Sequence, residues 1–133
     1  MKKFFMIFMV FIFSFCFYTN SFGEDDVVKF WNIVKKDLVK CPSDNTSACI
    51  DRVLEKNIKN LRVIKSPEER LKSYCMSISL MVEARKDMTK NAIDIGDVAL
   101  VKYHREKLAE AIAAYNHKEC GRFEWLTIIE SRN

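Results

Sequence analysis

Apolar residues recur at three- and four-residue spacing through most of this chain, in stretches parted by short clusters of turn formers. The pattern is clearest over 66–90, where Leu71, Tyr74, Cys75, Ile78, Met81, Val82 and Met88 fall on one helical stripe. This stretch also has the clearest start. Ser66 can accept a hydrogen bond from the Glu69 amide, Pro67 presets φ at the first helical position, and Glu69 can reach back to Ser66. Leu80 and Val82 widen the apolar arc beyond one narrow stripe, as expected of a helix covered on several sides or of a dimer face.

Three further helices flank it. From Glu24 to about Lys40, Val27, Phe30, Trp31, Ile33, Val34 and Leu38 share one side while Lys29, Asn32, Lys35 and Lys36 face away. Trp31 is the expected core anchor. Cys41-Pro42-Ser43-Asp44-Asn45 breaks that helix, and Thr46 or Ser47 can cap a second, in which Ile50, Val53, Leu54, Ile58, Leu61 and Ile64 repeat as far as Lys65. After the third helix the pattern loosens over Asn91 to Gly96. Asp94 or Asp97 can cap a fourth, built on Val98, Val101, Leu108, Ala111, Ile112 and Tyr115, with Gly121 placed to end it in a left-handed turn. Phe123, Trp125, Leu126, Ile128 and Ile129 predict a short closing helix. Long helices with short connections imply an all-α, antiparallel four-helix bundle with a short C-terminal helix.

Met1, Lys2 and Lys3 precede an apolar run from Phe4 to Phe17 broken only by Ser14, the form of a secretory signal peptide over residues 1–23. At about 14 residues the run is short for a membrane span, which needs roughly 20. Ser21-Phe22-Gly23 puts small residues before a cut that leaves Glu24 first, and 24–133 as a single helical domain. Phe15 before Cys16 argues against lipid attachment there. Without Lys2 and Lys3 the net charge is about +2, with both signs spread throughout, so nothing points to nucleic acid.

Four cysteines remain after the leader: Cys41, Cys49, Cys75 and Cys120. An even number after export favours two disulfides over metal ligands or catalytic thiols. Cys41 and Cys49 flank the first turn and can pair locally, which leaves Cys75 for Cys120. Straight-helix arithmetic opposes that second bridge: with a turn near residue 92, the two cysteines lie about 16 Å out of register, against the roughly 4.4 to 6.8 Å that a disulfide allows. A longer loop through Gly96 with a bend near Asn116 or Gly121 would close the gap, and four cysteines allow two other connectivities.

Candidate chemistry is sparse. His117, Glu119 and Cys120 are close enough in sequence to suggest metal ligands, but there is no second pair at ligand spacing, and no Cys-x-x-Cys-His for haem. His104 has neither a nucleophile elbow nor a Gly-rich phosphate loop to work with. The expectation is therefore no catalytic site, no metal and no cofactor. Ser73 and Ser77 would allow close helix approach. Met76, Leu80, Met81, Phe123 and Trp125 are the candidate interaction surface, since methionine-rich faces adapt to partners, while core filling is the more frequent use of such methionines.

Ala111-Ile112-Ala113-Ala114-Tyr115-Asn116-His117-Lys118-Glu119-Cys120 resembles the late helix of the exported lysozyme-inhibitor LprI family, which closes on a tyrosine and then a cysteine. Cys41 and Cys49 resemble that family's early pair. The resemblance is confined to these residues. Ile112 stands where the family has tryptophan and Asn116 where an arginine follows the tyrosine.

These features together lead to an exported, most simply periplasmic, disulfide-stapled helical protein that binds another protein, as an inhibitor, immunity protein or chaperone-like envelope factor does. The rival readings are a carrier of a lipid or other apolar small molecule, and a structural subunit of an envelope assembly that homodimerises or oligomerises through its apolar arc. None requires a stable membrane anchor once the leader is cut.

Overall fold

A computed structural model describes residues 25–123. Helix α1 (Asp25–Leu38), α2 (Thr46–Ile58), α3 (Pro67–Ile95) and α4 (Val98–His117) run alternately up and down, with single 3-10 turns at Leu61–Val63 and Cys120–Arg122. This is the helical bundle that the periodicity predicts, with two disulfides. The signal peptide, Trp125 and most of the expected closing helix lie outside the described residues. No described helix is long and apolar enough to cross a membrane.

The bundle is organised around α3. From Ser73 to Arg85 every residue is buried except the half-buried Tyr74 and Val82, so this part of the helix has no solvent face. One side is covered by α1 and α2, and another by α4. The wide apolar arc of the sequence is the consequence of being covered from several directions. Trp31, 1% exposed, enters from α1, and its indole N–H donates to Ser73 Oγ at 3.2 Å. Ser77 in turn donates to the Ser73 carbonyl at 2.9 Å. Small hydroxyl side chains here leave room for the indole and satisfy its polar end. Phe30 meets Trp31 edge to face, ring centroids 5.3 Å apart.

The caps follow the sequence in part. Ser66 accepts from the Glu69 amide at 3.3 Å, with Pro67 at the first position, and Asp97 accepts from the Leu100 amide at 3.1 Å. Neither Thr46 nor Ser47 caps α2: the Thr46 hydroxyl donates to the Pro42 carbonyl at 2.8 Å, and Ser47 turns to Asp87 on α3. The Cys41–Cys49 bridge ties this turn down covalently instead. Helix α2 also ends at Ile58 rather than near Lys65. Asn57 Nδ2 reaches back to the Val53 carbonyl at 2.8 Å and across to Asp37 at 3.2 Å, and the chain tightens into the 3-10 turn that still buries Leu61 and Ile64.

Helix α3 continues through Ile95, past the expected loosening at Asn91, and stops at Gly96 in a left-handed cap, φ 72°. This removes the register objection to the second disulfide. With the turn at Gly96 and Asp97, Cys75 lies about 21 residues before it and Cys120 about 23 after it, an offset of roughly 3 Å. Cys75 and Cys120 are bonded, their α-carbons 5.4 Å apart, as Cys41 and Cys49 are at 5.6 Å. The left-handed residue at the end of α4 is Glu119, φ 53°, and not Gly121. Reversal there brings Cys120 back to α3, where it is fully buried.

Candidate interaction surface

The expected interaction residues do not lie together on the surface. Met76 is 0% exposed, Leu80 2% and Met81 5%, because α1, α2 and α4 close over α3 from different sides. Phe123 is half-buried at the base of the bundle, beside Pro67 and Leu71, with the Arg122 guanidinium 5.0 Å from its ring centre. The four cysteines among the described residues are all disulfide-bonded, so Cys120 is unavailable to a metal, and among the same residues no three His, Cys, Asp or Glu side chains are grouped to hold one. His104 packs edge to face on Tyr103 at 5.3 Å.

The exposed apolar residues that stand out are at the opposite end. Ile93, Ile95 and Val98 are 49%, 71% and 82% exposed, and all three surround the turn between α3 and α4. Helix α2 meets α3 near Asp87 through Ser47, so the last eight residues of α3, about 12 Å of helix, run beyond the start of α2. The tip is chemically mixed, with exposed Asp94 and Asp97 beside the aliphatic side chains.

Three ties hold this tip relative to the bundle. At the turn, the Gly96 amide donates to the Ala92 and Ile93 carbonyls and the Asp97 amide to the Ala92 carbonyl at 3.2 Å, satisfying the end of α3, while Asp97 caps α4. At mid-height Arg85, 5% exposed, donates from Nε to Asp51 of α2 at 2.8 Å and from Nη1 to the Lys107 carbonyl of α4 at 2.7 Å. One guanidinium thus joins three helices. Thr89, one turn above, donates to the Arg85 carbonyl at 2.7 Å. At the base the Cys75–Cys120 bridge fastens α4 to α3. Burial raises the Asp51 carboxyl above its ordinary value, opposed by the Arg85 charge and hydrogen bond.

A shallow groove of about 280 Å³ lies between α3 and α4, lined by Val82, Glu83, Lys86, Ile112, Tyr115 and Asn116 among others. Glu83 and Lys86 meet along its wall at 3.5 Å. Nothing in that pairing marks catalysis.

Sequence reading missed the tip because Ile93 and Ile95 fall where the pattern loosens over Asn91 to Gly96, and Val98 reads as the first stripe residue of the next helix. The signal was present in Gly96-Asp97, a left-handed stop followed at once by a carboxylate cap. Arg85 and Asp51 are 34 residues apart on different helices, and no local pattern joins them. Comparison with family models, with curated proteins and with solved structures finds no match for this chain.

Proposed function

We propose that this chain is an exported helical protein, most simply of a bacterial periplasm, that binds another protein through the α3–α4 tip. The observation that carries the reading is the exposure of Ile93, Ile95 and Val98 on a turn whose backbone is capped on both sides. Exposed aliphatic side chains on a pre-ordered turn gain by being covered and lose little conformational freedom on docking. Two disulfides suit an oxidising compartment, and the leader-like run before residue 24 supplies the route.

An inhibitor or an immunity protein uses such a protruding turn to occupy a cleft, and a chaperone-like factor uses it to cover a client's apolar patch. The carrier reading, a ligand held between helices at Met76, Met81, Phe123 and Trp125, has less support at Met76 and Met81, which are core residues, and keeps the half-buried Phe123. The assembly-subunit reading shares the tip and differs in partner. Purification from the native host without reductant, comparing wild type with Ile95→Asp/Val98→Asp, separates these readings: a heterologous protein lost with the variant supports the proposal, and self-association lost with the variant supports a subunit.

A further inference from the structure

The outer face of α1 carries a charge pattern that the tip does not use. After the acids Asp25 and Asp26 at the start of α1, the stretch from Val28 to Lys40 has four lysines, Lys29, Lys35, Lys36 and, two residues past the helix end, Lys40, against one acid, Asp37. That acid is turned inward, accepting from Asn57 Nδ2 at 3.2 Å with Lys56 4.0 Å away. Lys29 and Lys36 share one side of the helix at seven-residue spacing, Ile33, 54% exposed, sits one turn after Lys29 on that side, and Lys40 is exposed just past the helix end. Val39, 57% exposed, lies beside Lys35 and Lys36, and Asn32, Ile33, Lys35, Lys36 and Val39 line a shallow depression of about 400 Å³. The strongly apolar side of the helix, with Phe30, Trp31, Val34 and Leu38, is wholly taken up by the core.

We infer that this face docks reversibly on an anionic phospholipid surface. The lysines match a layer of phosphates, and Ile33 and Val39 match the glycerol and upper acyl region just beneath it. Lysine is depleted at protein–protein contacts, so three exposed lysines, Lys29, Lys36 and Lys40, without an exposed arginine or aromatic residue from the same helix favour lipid over an acidic protein. A second copy of the same face is excluded by like charge. This attachment is independent of the protein-binding reading of the tip.

Lysine footprinting by acetylation, read by mass spectrometry on the non-reduced chain from Glu24 onward, tests this at individual residues. The comparison is between vesicles of phosphatidylcholine alone and vesicles containing about 30% phosphatidylglycerol. Lys29, Lys36 and Lys40 should be protected by the anionic vesicles only, and lose protection in about 1 M salt, while Lys90 and Lys102 near the tip react alike throughout. Each lysine contributes about fivefold in affinity, so Lys36→Gln/Lys40→Gln should raise the lipid concentration that half-protects Lys29 by roughly 25-fold. Equal protection on neutral vesicles would overturn the inference, since it would show attachment that does not depend on anionic phosphates. Unprotected α1 lysines, protection centred on Lys90 and Lys102, or protection by soluble polyglutamate but not by vesicles would overturn it too, the last in favour of an acidic protein.

Discussion

Arg85 and Asp51 meet at 2.8 Å between α3 and α2, and the same guanidinium reaches the Lys107 carbonyl of α4. The side chains are 6% and 19% exposed, so the pair is largely removed from water. Such a pair specifies which helices lie together more than it adds net stability, and its loss on one side is costly.

Arg85→Ala should therefore destabilise the fold by about 3 kcal/mol, since it strands a half-desolvated carboxylate and an unmatched helix carbonyl. Arg85→Met/Asp51→Leu should recover most of that loss. Urea denaturation of the two variants checks this. A double variant no better than the single would show that the pair stabilises in its own right.

Two carboxyls give opposite pH dependences. Asp51 is raised above 3.8, chiefly by burial, so the folded state binds its proton more tightly than the unfolded chain does. Its contribution to stability falls as pH rises from the ordinary carboxyl value through the raised one. Asp26 is lowered, chiefly by the Lys65 amide that donates to it at 2.8 Å. Its contribution is present above the ordinary value and disappears as pH falls through the lowered one. Denaturation midpoints across the acid range should lose the first slope in Asp51→Asn and the second in Asp26→Asn, each variant keeping the other.

The bridges differ in how much chain they close. Cys75–Cys120 spans 45 residues and Cys41–Cys49 spans 8. Loop-closure entropy then makes the longer bridge worth about 1.5 kcal/mol more. Paired Cys→Ala variants, compared by thermal and urea unfolding, should rank in that order. The reverse order would mean that the short bridge does more than restrict the unfolded chain.

Backbone conformation separates the tip's fold from its surface. Gly96→Ala should cost about 1 kcal/mol from the left-handed φ alone, since nothing lies within 4 Å of the added carbon. Glu119→Gly should gain a comparable amount by relieving the same conformation in a residue with a side chain. Ile95→Asp, at an exposed position, should change stability by less than about 0.5 kcal/mol.

Much of the architecture was legible because burial period and start signals agreed, most clearly at Ser66-Pro67 and along the Trp31 face of α1. The end of α3 was not, since Ala92 and Asn91 carry little apolar contrast and the helix is prolonged by its cap at Gly96. The premature end of α2 depends on Asn57 bonding across to Asp37, a contact between helices. For the same reason Met76, Leu80 and Met81 read as either core filling or a surface. Periodicity finds the direction of one stripe, while their burial depends on how many neighbours cover α3.

The most direct test of the central claim is native purification of the non-reduced protein from its own host, with intact mass on what co-elutes, for wild type and for Ile95→Asp/Val98→Asp. Circular dichroism and urea unfolding establish first that the variant is folded. A stoichiometric protein partner that accompanies the wild type and is absent from the folded variant is the predicted result. The same partner retained by the variant would contradict binding through the tip, and the bare chain recovered in both cases, after crosslinking in the intact envelope, would contradict the protein-binding account itself.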